Sequence, residues 1–199
     1  MEWTEFVAVV FSLAYVVLAA KGNWWCWPAG VGSSLFYAWI CWNANLYSET
    51  GLQIFYLIMA FYGMWQWRQG GKEQNSELAP VRTWPLVAHV AVIVLGFLTV
   101  YLVAQGVLTF LSSAALPYLD AFTTVFSLIA TVMVTRRILE NWLYWIVIDV
   151  VSIYMYTERG LYVTVGLFVV YTVMAVYGFV EWRKEMQTTA KDESKSVLA

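Results

Sequence analysis

Two tryptophans, a carboxylate and a hydroxyl recur at spacings of three and four in Asn141-Trp142-Leu143-Tyr144-Trp145-Ile146-Val147-Ile148-Asp149 and its continuation to Ser152. Residues three and four apart share one face of an α-helix, so Trp142, Trp145, Asp149 and Ser152 would stand together. Such a face can stack a flat ring, attract a cationic one through its π-electrons and offer it a hydrogen bond or a countercharge. The same residues also suit plain packing, with Asp149 bonded to a neighbouring helix. Asn141 adds an amide at the start of the segment. Elsewhere, Ser34 follows Gly32-Ser33 in an apolar stretch, where small residues allow either a ligand contact or close helix approach. Gln53 is the amide of an apolar run and is expected to face the interior. Trp39 and Trp42 suit either the mouth of a pathway or an interfacial aromatic belt.

Other chemistries lack their residues. No GxxxxGK[ST] loop is present to bind nucleotide phosphates, and no HExxH or GxSxG motif points to a hydrolase. The single histidine, His89, removes paired-histidine metal sites, and Cys26 and Cys41 have neither metal-ligand nor redox spacing. These absences imply no enzyme, no metal and no cofactor. A net charge of −2 removes a basic nucleic-acid surface, so no nucleic-acid partner is expected.

The elements that must position these groups are membrane helices. Of 199 residues, 61% are hydrophobic and 12% charged, with a mean hydropathy of +0.65. A soluble domain carries roughly twice that charge, so the surrounding solvent is mostly hydrocarbon and the bilayer is a partner. A spanning helix needs about 20 mostly apolar residues, and the chain divides into seven such stretches, near 3–20, 25–44, 51–67, 84–106, 121–135, 141–157 and 161–182. A polar linker from Arg68 to Pro85, containing Gly70-Gly71, reads as a hinge. Met1 to Phe6 lacks the basic region of a signal peptide, so the first helix is expected to be retained. With the helices threaded in order, Lys21, Arg68, Lys72, Arg82, Arg136, Arg137, Arg183, Lys184, Lys191 and Lys195 fall on one side and Arg159 alone on the other. Basic residues accumulate in cytoplasmic loops, so the N-terminus is expected outside and the C-terminus inside. The tail from Arg183 reads as polar and partly disordered. Asp120 reads as a cap where the fifth helix begins, and Arg136-Arg137 as charges that complement a helix end.

The chain also repeats itself at an offset of 115 residues (142 − 27). Trp27 falls on Trp142, Leu46-Tyr47 on Leu161-Tyr162, Gly51-Leu52 on Gly166-Leu167, Tyr62-Gly63 on Tyr177-Gly178 and Trp67-Arg68 on Trp182-Arg183. Ser34 occupies the repeat position of Asp149. The expected fold class is therefore an all-α membrane protein with seven transmembrane helices, two parallel three-helix bundles joined by a linker helix. Its divisions are 1–83, the first bundle and cytoplasmic linker; 84–106, the linker helix; 107–185, the second bundle; and 186–199, a cytoplasmic tail. Parallel repeats of this kind bind substrate near the bilayer midplane, at their interface.

Glu140-Asn141-Trp142-Leu143-Tyr144-Trp145, Leu46-Tyr47-Ser48, Gln53 and Tyr62-Gly63-Met64-Trp65-Gln66-Trp67 resemble the PnuC family of nicotinamide riboside transporters, over roughly residues 5–185. The resemblance implies a three-plus-one-plus-three architecture related to the SWEET sugar transporters, in the inner membrane of a bacterium. It implies facilitated diffusion of a small vitamin without a coupling ion, made one-way by intracellular phosphorylation on the way to NAD, and a homotrimer. It makes Trp142, Trp145 and Gln53 the substrate contacts. Several members have Asn where this chain has Asp149, and an acid there suits a cationic ring. Nicotinamide riboside and thiamine are both cationic, so thiamine remains the alternative substrate.

Overall fold

The computed structural model describes residues 3–44, 47–72, 78–110 and 116–198. These hold seven helices: α1 (Trp3–Ala20), α2 (Cys26–Asn43), α3 (Tyr47–Lys72), α4 (Leu86–Phe110), α5 (Pro117–Thr135), α6 (Asn141–Glu158) and α7 (Tyr162–Leu198). By length and composition, α1, α4, α5 and the Tyr162–Lys191 part of α7 are apolar enough to cross a membrane. The three others, α2, α3 and α6, carry every candidate site residue, and their Asn, Ser, Gln and Asp residues lower their mean hydropathy.

The helix ends recur at the offset seen in the sequence. Shifted by 115 residues, the end of α1 at Ala20 falls on the end of α5 at Thr135. Likewise α2 falls on α6 from first residue to last, and the start of α3 on the start of α7. The loops repeat too. Gly22 ends α1 in the left-handed region, φ 64°, and its repeat mate Arg137 ends α5 there, φ 52°. Around Gly22 the N–H of Gly22 bonds Ala19 O at 2.9 Å and that of Asn23 bonds Leu18 O at 2.9 Å. This pairing closes the free carbonyls of a helix end and needs positive φ, which glycine adopts without strain. Arg137 does so at a steric cost. Leu46 of the repeat lies outside the described residues, as do residues 73–77 of the linker.

Three boundaries differ from the sequence expectation. First, α3 runs past Trp67 through Gly70-Gly71 to Lys72. A Cβ at Gly70 would stand 2.6 Å from that of Ala79, so glycine lets the returning linker lie against the helix. The linker is pinned there, by Ala79 N–H to Trp67 O at 2.8 Å and by an isolated parallel bridge between Arg82 and Ile138, and the described part is therefore no free hinge. Second, α5 starts at Pro117, a residue suited to a first helical position, which places Asp120 inside the first turn. Third, the tail is helical to Leu198, because its Glu, Lys, Gln, Met and Ala residues are strong helix formers.

The chain divides into two compact units. The first comprises residues 1–82, 134–139 and 177–199 and buries Ala8, Ala19, Ala20, Cys26, Trp27, Trp67 and Trp182. Its small residues bring backbones close to indoles: a Cβ at Gly63 would stand 2.4 Å from the Trp27 ring. The second comprises residues 83–133 and 140–176, with a core of Val100, Ala104, Ala121, Val125, Phe126, Ala130 and Ile148. Most of α4 faces outward with Leu86, Val87, Val94, Leu95 and Leu102, as expected of a helix whose solvent is lipid.

Candidate functional site

In the second unit α6 presents the residues first singled out. Asn141, Trp142, Asp149 and Ser152 are all buried, Asp149 at 3% exposure. Ser152 Oγ donates to Ile148 O of its own helix at 2.9 Å, which satisfies its hydroxyl. Asp149 makes no hydrogen bond or ion pair among the described residues. A carboxylate at so little exposure, with no donor beside it among the described residues, is costly to hold. Trp145 differs from its neighbours. It is half-buried and packs against the apolar core of the unit, as Phe122, Ile129 and Tyr144 also do, so in this structure its ring serves packing.

The remaining candidates belong to the first unit. Ser34 is buried in α2 and Gln53 half-buried in α3. Trp39 is 63% and Trp42 59% exposed, which fits the interfacial belt. Asn43 Nδ2 donates to Trp39 O at 2.8 Å and so closes the end of α2.

Three polar clusters were not legible as such in the sequence. The first surrounds Arg137, which is 1% exposed. Its guanidinium lies 4.8 Å from the Trp67 ring centroid and 5.2 Å from that of Trp182. It donates to Ala79 O and, at 2.8 Å, to Glu185 Oε2. Burial pulls this guanidinium below its ordinary value, and the Glu185 carboxylate raises it again. A dibasic pair at a helix end reads as a topology signal, and only folding distinguishes Arg137 from the exposed Arg136. The second cluster joins His89 to Tyr144 (Nδ1 to hydroxyl, 3.0 Å), with Glu140 Oε2 at 3.8 Å from Nε2 and the Trp84 ring beside the imidazole. The third is an ion pair, Arg159 to Asp120 at 2.6 Å. It corrects the capping role expected of Asp120, because the earlier start of α5 leaves that carboxylate free to meet the end of α6.

Residues 2–184 match the protein family described as nicotinamide mononucleotide transporter. The chain belongs to this family. Among PnuC relatives, the nicotinamide riboside transporter of Escherichia coli is 25% identical over 92% of this chain and 85% of its own length. The protein of that name from Neisseria mucosa is 28% identical over 92% and 73%. A riboflavin/roseoflavin transporter, RibM, of Streptomyces davaonensis is 25% identical over 90% and 84%. A crystal structure of the vitamin B3 transporter PnuC superposes with a TM-score of 0.74 at 24% identity, covering 94% of this chain and 83% of that one. That likeness carries the fold of the PnuC family onto the seven helices described above.

Proposed function

We propose that this chain carries nicotinamide riboside across the inner membrane of a bacterium by facilitated diffusion, with intracellular phosphorylation trapping what enters. The observation that carries the reading is the buried Asp149, without a hydrogen-bond or ionic partner among the described residues, two turns along α6 from the buried Trp142, in a chain whose relatives from two genera are nicotinamide riboside transporters over more than nine-tenths of its length. The pyridinium ring of that vitamin is flat and cationic. Stacking on an indole and attraction to a carboxylate supply the two contacts it needs. Asn141, Trp145, Gln53, Ser34 and Trp39 complete the proposed set of contacts.

All seven helices are taken as spans, arranged three-plus-one-plus-three over the divisions 1–83, 84–106 and 107–185, with the N-terminus outside, the C-terminus inside and a trimeric assembly. The ten-to-one division of basic residues supports the orientation, and the recurrence of helix ends supports the two bundles.

Purified protein in liposomes should exchange labelled nicotinamide riboside in both directions and bring it to equal concentration on the two sides. Accumulation driven by a proton or sodium gradient, with no kinase inside, would overturn the facilitator mechanism. The Streptomyces relative supports a second reading, riboflavin, since it is as similar to this chain as the Escherichia coli protein is. Competition by unlabelled riboflavin and thiamine decides the substrate. Riboflavin is uncharged, so its preference would also remove the electrostatic role of Asp149.

A further inference from the structure

The transport reading raises the question of what closes the pathway, and the first unit contains contacts between repeat-equivalent residues that bear on it. Trp67 and Trp182 are equivalent, fully buried and in edge contact, with ring centroids 5.8 Å apart. Gly22 and Arg137 are equivalent, and a Cβ at Gly22 would stand 2.9 Å from Arg137 Nη2. The hydrogen bonds are exchanged in the same sense. Trp67 Nε1 donates to Val134 O at 3.1 Å, and Trp182 Nε1 to Ala19 O at 3.0 Å. Ala19 and Val134 are themselves 115 residues apart, so each indole reaches the carbonyl that its mate reaches in the other half. Reciprocal pairing of this kind is the signature of a two-fold relation. Two equivalent residues can touch only where the axis passes between them. In parallel repeats that axis runs along the membrane normal, and the substrate path lies at the repeat interface around it.

We propose that Trp67, Trp182 and Arg137 form the cytoplasmic gate of this transporter, closed in the present structure. The inference rests on the transport reading and on the inward orientation of the C-terminus. The two indoles fill the axis, and their exchanged hydrogen bonds tie the end of α3 to the end of α5, and α7 to the end of α1. Where the first repeat has Gly22, the second has Arg137, so one guanidinium occupies the space on the axis for both. Its left-handed backbone, held by Ala79 O and Glu185 through the side chain and by Arg82 through the main chain, stores strain that opening would release. Glu185 is the exposed end of the latch, with its side chain 40% accessible. Arg137 is thus a positioning residue that sets how often the inner end opens.

The protein supplies its own reporter. Cys26 is fully buried at the start of α2 and within electrostatic reach of Arg137, and Cys41 is the other thiol. In a Cys41→Ser background, a membrane-impermeant maleimide applied to the cytoplasmic face should alkylate Cys26 slowly. Trp182→Phe keeps the ring and removes one exchanged bond, and Arg137→Gln removes the charge. Each should speed alkylation about tenfold, the population shift expected from one lost buried hydrogen bond. Both should alter the rate of vitamin exchange while calorimetric affinity stays at the wild-type value, and Arg137→Lys should restore part of the slow alkylation. Variants that bind as wild type and alkylate Cys26 at the wild-type rate would overturn the gate. Wild-type vesicles that exchange no vitamin, although alkylation responds to the substitutions, would instead overturn the transport reading. Trp182→Phe decides the matter should Arg137→Gln fail to fold.

Discussion

Arg137 and Asp149 are both almost wholly buried, at 1% and 3% exposure, yet their surroundings are opposite. Arg137 has a counterion, a carbonyl and two indole faces within reach. Asp149 has no hydrogen-bond or ionic partner among the described residues. A charge paired inside the protein, as Arg137 is through both terminal nitrogens with only Nε left without an acceptor among the described residues, holds that protein in one arrangement. A group whose needs are unmet can be completed by something that arrives and leaves. The contrast therefore supports the proposed division between holding at Arg137 and binding at Asp149, and each half can be broken separately.

The largest effect is expected on the holding side. Glu185→Ala leaves the Arg137 guanidinium buried without its counterion, a change that costs about 3–5 kcal/mol for a fully buried pair. Because Glu185 is part-exposed, the low end, about 3 kcal/mol, is expected, as a clear drop in the thermal midpoint of the detergent-solubilised protein with substrate affinity unchanged. A midpoint equal to wild type would mean that the Ala79 carbonyl and the two indole faces suffice for Arg137 without a counterion.

On the binding side, Trp142→Ala should weaken vitamin affinity roughly tenfold or more, since desolvated cation–π contacts are worth about 2 kcal/mol. Trp145→Ala sharpens the comparison, because its half-buried ring packs against the unit core. It should lower stability more than affinity, and calorimetry beside a melting curve on the two variants would show a crossed pattern. Equal losses of affinity in both would return Trp145 to the binding wall.

Asp149→Asn is expected to be milder, about threefold to tenfold in affinity for a cationic substrate, with stability equal to or above wild type because an unpaired buried acid is removed. A fall in stability would mean that Asp149 is already satisfied, and the contrast with Arg137 would collapse. The smallest effect should come from Asp120→Asn. Its ion pair with Arg159 is part-exposed at 2.6 Å, and exposed pairs contribute about 0–1 kcal/mol. A melting shift comparable to that of Glu185→Ala would show that exposure alone does not set the difference between these pairs.

The sequence by itself determined the helices, their number among the described residues and the internal repeat. Hydrophobic run length and turn residues are local properties, and a 115-residue offset is visible without folding the chain. It also marked Trp142, Asp149 and Ser152 as one face of α6, since helical periodicity fixes which residues are neighbours on a single element. What it could not settle was the fate of each polar group. Arg136 and Arg137 are adjacent and alike as letters, and one is exposed while the other is buried. The left-handed turn, the indoles of α3 and α7 and the return of the linker at Ala79 decide between them. Asp120 reads as a cap until Arg159, 39 residues away, is brought to it. Whether a buried charge finds a partner depends on which distant segments pack against it, and that is decided only when the tertiary structure forms.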